Sequence, residues 1–347
     1  MSGGRLSEAM LIIIAVLAVL AVCKVAQAVV EPIVFALFII LTAWPMQKWL
    51  QARTGKALAL AGSVLVTVLV VVALLAIIVW GGGQVVDWIN QHIERIQESL
   101  VASTSWLEKH DIFVLSLVSD HFSSAEVVRL LQRLVIQANT ILAFSMIVLL
   151  YVVLGLGETD AVAARVAALE DKDVSRQLLN AGVKIGAKFR TYMLVRSVAS
   201  VATGLAVWGF LRLVGLEMAA ACGVLAFALN YLPYIGSLIV TGFLTLFAFM
   251  QTGSLESALY VLAGVTLVQM VIGSYLEPVF SGEALAISPP VVLFAIVLWT
   301  YLWGALGAFL GVPLTIAMLT LFEEFASLRW AAELLSGGRL RLDAPSS

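Results

Sequence analysis

Glu277 closes an apolar run, Tyr260–Leu276, and is followed at once by Pro278. A carboxylate in or beside hydrocarbon is expensive unless it is paired, hydrated or protonated. Such a group suits the carriage of a proton or the binding of an ion. The plainer reading is a helix-end acid at the water interface. A second polar group lies in LNYLPYIGSLI, residues 229–239. Pro233 removes a backbone donor and clashes with the preceding turn, which frees carbonyls near Leu229 and Asn230. Gly236 permits close approach or unusual torsion angles. Asn230, Tyr231 and Tyr234 bring hydrogen-bonding groups to the break. Irregular backbone at membrane depth is tolerated where it is buried in protein or lines a watery cavity. Interrupted helices of this kind point to a transporter binding site. A simple proline kink with interfacial tyrosines is the alternative. A second interruption is expected across Gly304–Pro313, where GALGAFLGVP divides two apolar runs.

Other chemistries find less support. His92, His110 and His121 fall in one segment, but their spacing matches no H-E-x-x-H or similar ligand motif. No G-x-S-x-G element is present. Gly81-Gly82-Gly83 follows an apolar helical run, whereas a phosphate-binding loop needs a strand before it. Cys23 and Cys222 lie in apolar runs and read as small buried hydrophobes. The expectation is therefore a protein that is not an enzyme and has no cofactor and no metal.

The elements that must position these residues are membrane helices. Of 347 residues, 62% are hydrophobic and 12% charged, with mean hydropathy +1.05. Soluble domains average roughly 45–50% apolar and about 25% charged. The net charge of −2 offers no footprint for nucleic acid. Spans of roughly 20 apolar residues occur at Met10–Val30, Pro32–Trp49, Ala57–Trp80, Asn139–Leu156 and Met193–Val214. The first is too long for the core of a cleaved signal and reads as an uncleaved span. Beyond Leu216 the runs shorten and break on either side of Pro233 and around Gly304–Pro313, while Leu255–Leu276 remains a full span. The fold class is thus all-α: a polytopic helix bundle of about eight hydrophobic segments, with Pro/Gly-broken or re-entrant helices in its C-terminal third. Whether 217–250 and 289–321 cross fully or turn back is open at this stage.

Loop charge sets the orientation. Residues 45–57 carry Lys48, Arg53 and Lys56 and no acid, so they are placed inside. Residues 81–138 carry four basic and seven acidic residues and go outside; 158–196 carry seven basic and five acidic and go inside. The amino terminus is then cytoplasmic. The organisation expected is three helices in 1–80, external amphipathic helices in 81–138 and a fourth span in 139–157. Cytoplasmic amphipathic helices follow in 158–192, then a transport core in 193–322 and a cytoplasmic tail in 323–347. Lys24 either snorkels outward or pairs with an acid, and Arg196 either anchors to headgroups or faces a cavity.

In order and spacing, these elements resemble the autoinducer-2 exporter family of bacterial membrane permeases. Asn230-x-x-Pro233-x-x-Gly236 looks like one family element, and Glu277-Pro278 with Gly282 like a second. Ile287-Ser288-Pro289, Trp303-Gly304, Gly307 and Gly311-Val-Pro313 look like its closing segment. The resemblance implies export of a small solute across the bacterial inner membrane, with exchange of sodium for protons proposed for members. It implies a homo-oligomer, a pentamer being proposed for some. Gln269 and Ser274–Glu277 would then line the path, with Asn230, Pro233, Tyr234, Gly236, Pro278, Gly304, Gly307 and Pro313. The partners expected are a small molecule or ion and the lipid bilayer. The loop 277–290 departs from the charge rule, having two acids and no base although placed inside. The rival reading is a scaffold or sensor that acts through its extramembrane helices without transport.

Overall fold

A computed structural model describes residues 2–93, 124–277, 279 and 287–336. Among these residues every regular element is helical. The helices are α1 (Ser2–Val25), α2 (Gln27–Thr54), α3 (Lys56–Gln91), α4 (Ser124–Ala167) and α5 (Lys172–Val214). They continue as α6 (Ala219–Leu229), α7 (Ile235–Thr252), α8 (Leu255–Val271), α9 (Pro289–Glu324) and α10 (Arg329–Leu335). Among the described residues, seven helices are long and apolar enough to cross a membrane. The most apolar window, in α3, is only 6% buried. Leu65, Val66, Leu69, Val70 and Val72 on that helix are exposed. In water such a surface would be a liability; in lipid it is the favourable solvent contact. The protein is a multi-pass membrane protein.

Several boundaries differ from those read in the sequence. α1 and α2 divide at Ala26, ahead of Glu31-Pro32, and Pro32 sits inside α2. α4 and α5 run 44 and 43 residues without a break, so the amphipathic stretches beside the fourth and fifth spans extend those spans. His110 and His121 lie outside the described residues, as do Pro278 and Gly282.

The described chain forms two compact units. The first comprises 1–67, 144–193 and 282–347; the second comprises 68–143 and 194–281. Each contains a helical hairpin. In the second unit α6 and α7 fold back on each other. The Glu217 amide donates to Gln251 Oε1 at 3.0 Å, and Gln251 Nε2 donates to the Glu217 carbonyl at 3.1 Å. This exchange ties the outer ends of the two limbs together. Cys222, Ala226, Val240, Leu244 and Phe247 pack with Val207, Leu211, Val261 and Val265 as the core of the unit. Gly253 takes φ +64 and ends α7, and the Ser254 hydroxyl caps α8 by accepting from the Ser257 amide. That turn is tight because glycine adopts positive φ without a Cβ clash.

In the first unit α9 is the second hairpin. Trp303 and Gly304 have non-helical torsions, with Gly304 at φ +61 and ψ −138. A Cβ on Gly311 would stand 3.2 Å from the Ala295 carbonyl oxygen, and one on Gly307 would overlap the Trp299 carbonyl. Residues 295 and 311 would be about 24 Å apart along a straight helix. The limbs 289–302 and 305–324 therefore run antiparallel. The sequence reading placed an interruption across Gly304–Pro313; the structure confines it to Trp303 and Gly304. Gly307 and Gly311, one turn apart, do not break the second limb. They remove side chains where the two backbones meet. Pro313 is buried inside that limb.

In both regions the chain turns back on itself as a pair of antiparallel limbs, the first of them short. α6 has 11 residues and the limb 289–302 has 14, reaching about 16 and 21 Å. Neither covers about 30 Å of hydrocarbon.

Candidate functional site

In the second unit, a polar stripe lies along α5. Arg196, Ser200 and Thr203 recur at i, i+4 and i+7, which places them on one helix face. Ser200 and Thr203 are fully buried, and Arg196 is 9% exposed. The turn of the first hairpin meets this stripe. Asn230 Nδ2 donates to Ser200 Oγ at 3.3 Å, and Tyr231 Oη donates to Ser197 Oγ at 3.0 Å. Asn230 is itself buried. Gly236 is required here because a Cβ would overlap the Leu229 carbonyl. Tyr234 opens the second limb of the hairpin. Its backbone takes φ +59, uncommon for a side chain of this size, and its ring is 58% exposed. Asn230 and Tyr231 supply side-chain hydrogen bonds at the break, and the Tyr234 carbonyl accepts from Ser237 Oγ at 2.9 Å.

Glu277 reaches the same stripe from α8. A single turn of π-helix, Ile272–Leu276, joins α8 to it. π-Bulges re-aim side chains and occur often at functional sites. Arg196 Nη1 donates to Glu277 Oε1 at 2.6 Å across 81 residues of sequence. Arg196 is thus an ion-pair partner, and the carboxylate expected to need a partner has one. The two side chains are 11% and 28% exposed. Two poorly solvated charges hold each other only while both are present.

Further from the pair, Thr203 Oγ1 and Gln269 Nε2 are buried and have no hydrogen-bond partner among the described residues. The helix register relates them. A Cβ on Gly264 would strike the Phe210 ring, and Arg196 meets Glu277. These two contacts fix an antiparallel alignment of α5 and α8, in which 203 and 269 fall at the same level. The stripe thus runs from a charged end to a neutral, unsatisfied one.

Gly304, Gly307 and Pro313 are not part of this cluster; they belong to the other compact unit. The sequence reading also missed Ser197, Ser200 and Thr203, whose spacing from Arg196 on an apolar helix was the available signal. It missed a second anchor as well. Trp88 Nε1 donates to Glu217 Oε2 at 2.5 Å, beneath the Glu217–Gln251 exchange. A concavity of about 600 Å³ in the first unit, between α2, α4 and α5, is lined mostly by apolar side chains such as Leu37, Leu154 and Val183. It offers no ion pair or polar stripe comparable with that around Arg196.

Among the described residues no group of three His, Cys, Asp or Glu side chains converges as a metal site. The arrangement is a partly buried ion pair, a hydrogen-bonded helix break and a polar stripe. The AI-2E family transporter description matches residues 10–327. The chain belongs to the AI-2E transporter family. It is 28% identical over 315 residues to the AI-2 transport protein TqsA of Escherichia coli K12, covering 90% of this chain and 91% of that one. It is 27% identical over 334 residues to a Haemophilus influenzae protein provisionally named a transport protein, covering 92% and 93%. A third relative, YhhT of Escherichia coli K12, also provisionally named for transport, is 33% identical over 154 residues, 44% of each chain. Transport, not catalysis, is the function for which this family and these relatives are named.

Proposed function

We propose that this AI-2E family protein is a secondary transporter that exports a small solute across the bacterial inner membrane, driven by a proton or sodium gradient. The carrying observation is the Arg196–Glu277 pair, 2.6 Å apart at the turn of an interrupted helix. A proton or a sodium ion arriving at Glu277 competes with the Arg196 guanidinium for the same carboxylate. Release of Arg196 then loosens its end of the stripe, next to the Ser197–Tyr231 and Ser200–Asn230 bonds that hold the hairpin turn. Binding of the coupling ion is linked in this way to movement of the turn. A ligand shifts a two-state equilibrium only by its differential affinity for the states, and loss of an ion pair supplies such a difference.

Asn230, Pro233, Gly236, Gln269 and Glu277 form the proposed path in the second unit. Pro278 continues it in sequence, and Tyr234 stands at its exposed edge. Gly304, Gly307 and Pro313 contribute as the moving second hairpin. The family resemblance extends the proposal to a homo-oligomer with its amino terminus in the cytoplasm. AI-2, named for TqsA, is the first solute to try. Purified protein in liposomes is given a sodium or proton gradient, with AI-2 inside and a pH-sensitive dye as second readout. Gradient-dependent efflux that Glu277→Gln abolishes is expected. Efflux that ignores both gradients, or survives Glu277→Gln unchanged, overturns the coupling role. Normal cellular function in Glu277→Gln, lost on deletion within 84–138, would favour the scaffold reading.

A further inference from the structure

The first unit holds an arrangement that the transport path does not use. Lys24, in the last turn of α1, donates from Nζ to the carbonyls of Tyr301 at 2.8 Å and Leu302 at 3.0 Å. These are the final carbonyls of the limb 289–302, immediately before the non-helical Trp303 and Gly304. The last four carbonyls of any helix lack an intrahelical donor. They also carry the negative end of the helix dipole. Here the chain turns back at once, and the surroundings are apolar: Leu20, Cys23, Val30, Val34, Leu298 and Leu314 pack around Trp299, Leu302 and Trp303. The Tyr301 carbonyl lies at the exposed edge of this packing, whereas the Leu302 carbonyl is part-buried, where an unsatisfied acceptor is costly.

The contact is reciprocal. Trp303 Nε1 donates to the Cys23 carbonyl at 3.1 Å. Cys23 lies two residues before the end of α1, so its carbonyl belongs to the same class of helix-end acceptors. Each helix end is therefore capped by a side chain from the other. The Lys24 ammonium also lies 5.4 Å from the centre of the Tyr301 ring, a cation–π contact. Lys24 is exposed and interacts electrostatically with Glu31, without a hydrogen bond to it. Its hydrogen bonds go to backbone.

We infer that Lys24 is a positioning residue, a tethered cation that latches the turn of the second hairpin to the end of α1. Two backbone carbonyls at a helix C-terminus make a small site for a primary ammonium, and the chain fills it with its own. While Lys24 stays in place, the turn at Trp303–Gly304 and the junction at Ala26 move as one piece. Its release frees the hairpin turn and uncovers the Cys23 region together.

The chain supplies its own reporter. Its two cysteines are Cys23, partly exposed beside the latch, and Cys222, buried in the second unit. The rate at which a small maleimide modifies Cys23 in the full-length protein, resolved by peptide mass, reads the latch without any assay of flux. In Lys24→Ala the rate should rise by about tenfold, the shift that loss of one hydrogen bond to a charged group supports. Methylammonium, which carries N–H donors, should bring it back toward the wild-type rate. Tetramethylammonium, with the same charge and no N–H, should not. Lys24→Arg should stay near wild type. Trp303→Phe, which removes the other half, should raise the rate by a smaller factor. Unchanged labelling in Lys24→Ala, or equal rescue by the two ammonium ions, overturns the inference. Should Lys24→Ala not fold, Lys24→Gln and Trp303→Phe decide in its place, and wild-type labelling in both overturns it.

Discussion

Arg196 and Glu277 belong to helices 81 residues apart in sequence, yet their side chains meet at 2.6 Å. Neither charge is well solvated, so removing one leaves the other stranded. That usually costs more than removing both. Arg196→Gln should therefore lower the stability of detergent-solubilised protein by roughly 3 kcal/mol. Glu277→Gln should do the same by a similar amount. The double variant Arg196→Gln/Glu277→Gln should recover most of that loss, because two neutral amides can satisfy each other. Gradient-driven efflux should not return with it. Thermal unfolding in micelles and efflux from liposomes, measured on all four proteins, separate a structural pair from a coupling pair. Recovery of efflux together with stability in the double variant would reduce the pair to a structural one.

The two hairpins share a construction. Each has a short first limb, a sharp non-helical turn and a glycine just beyond it. Gly236 faces the Leu229 carbonyl and Gly307 faces the Trp299 carbonyl, both too closely for a Cβ. Gly236→Ala and Gly307→Ala should each cost about 1–3 kcal/mol through overpacking against backbone. Gly242 lies in α7 with ordinary torsion and open space around its Cβ position. Gly242→Ala should therefore be neutral or stabilising by up to about 1 kcal/mol, the helix-propensity difference. Melting temperatures of the three variants test this; equal effects would mean the glycines are not packing positions. The hairpins also show what the sequence can reveal. Pro233 announces a break because proline acts locally, through its own ring and missing N–H. At 304–313 the same punctuation misleads about extent, since Gly307 and Gly311 serve the facing limb and not their own backbone. Such a role depends on tertiary contact, which composition does not encode. The partners Ser197, Ser200 and Gln251 were hidden for the same reason: hydroxyls and amides in apolar helices show their use only when a second helix arrives. Glu277 was legible as a carboxylate in need of a partner, but its choice of Arg196 depends on the register of α5 against α8.

Across the whole chain, orientation and hairpin entry are linked by parity. The charge rule puts 45–57 and 158–196 on the cytoplasmic side. Three contacts join segments of that side: Lys48 with Asp160 at 2.6 Å, Gln47 Nε2 with the Leu156 carbonyl at 3.0 Å, and Lys188 with Glu323 at 3.2 Å. Lys184 pairs with Glu324 beside the last of these. On that orientation, with 158–188 inside, α5 would cross outward and the first hairpin would enter from the outer face. From its turn, α7 runs 18 residues back to Thr252, about 27 Å. That is nearly the full hydrocarbon thickness of about 30 Å. The turn at 230–234 should consequently lie toward the cytoplasmic face, not at the midplane. Tyr234, 58% exposed, reports on it. With the native cysteines replaced by serine, Tyr234→Cys should react with a membrane-impermeant maleimide only from the cytoplasmic side of inside-out vesicles. Ser254→Cys, in the turn after α7, should react only from the outer face of intact spheroplasts. Labelling of both from one side would reverse the entry of the first hairpin. Protection of Tyr234→Cys from both sides would bury its turn in lipid or in protein, and the coupling ion would then have no aqueous route to Glu277.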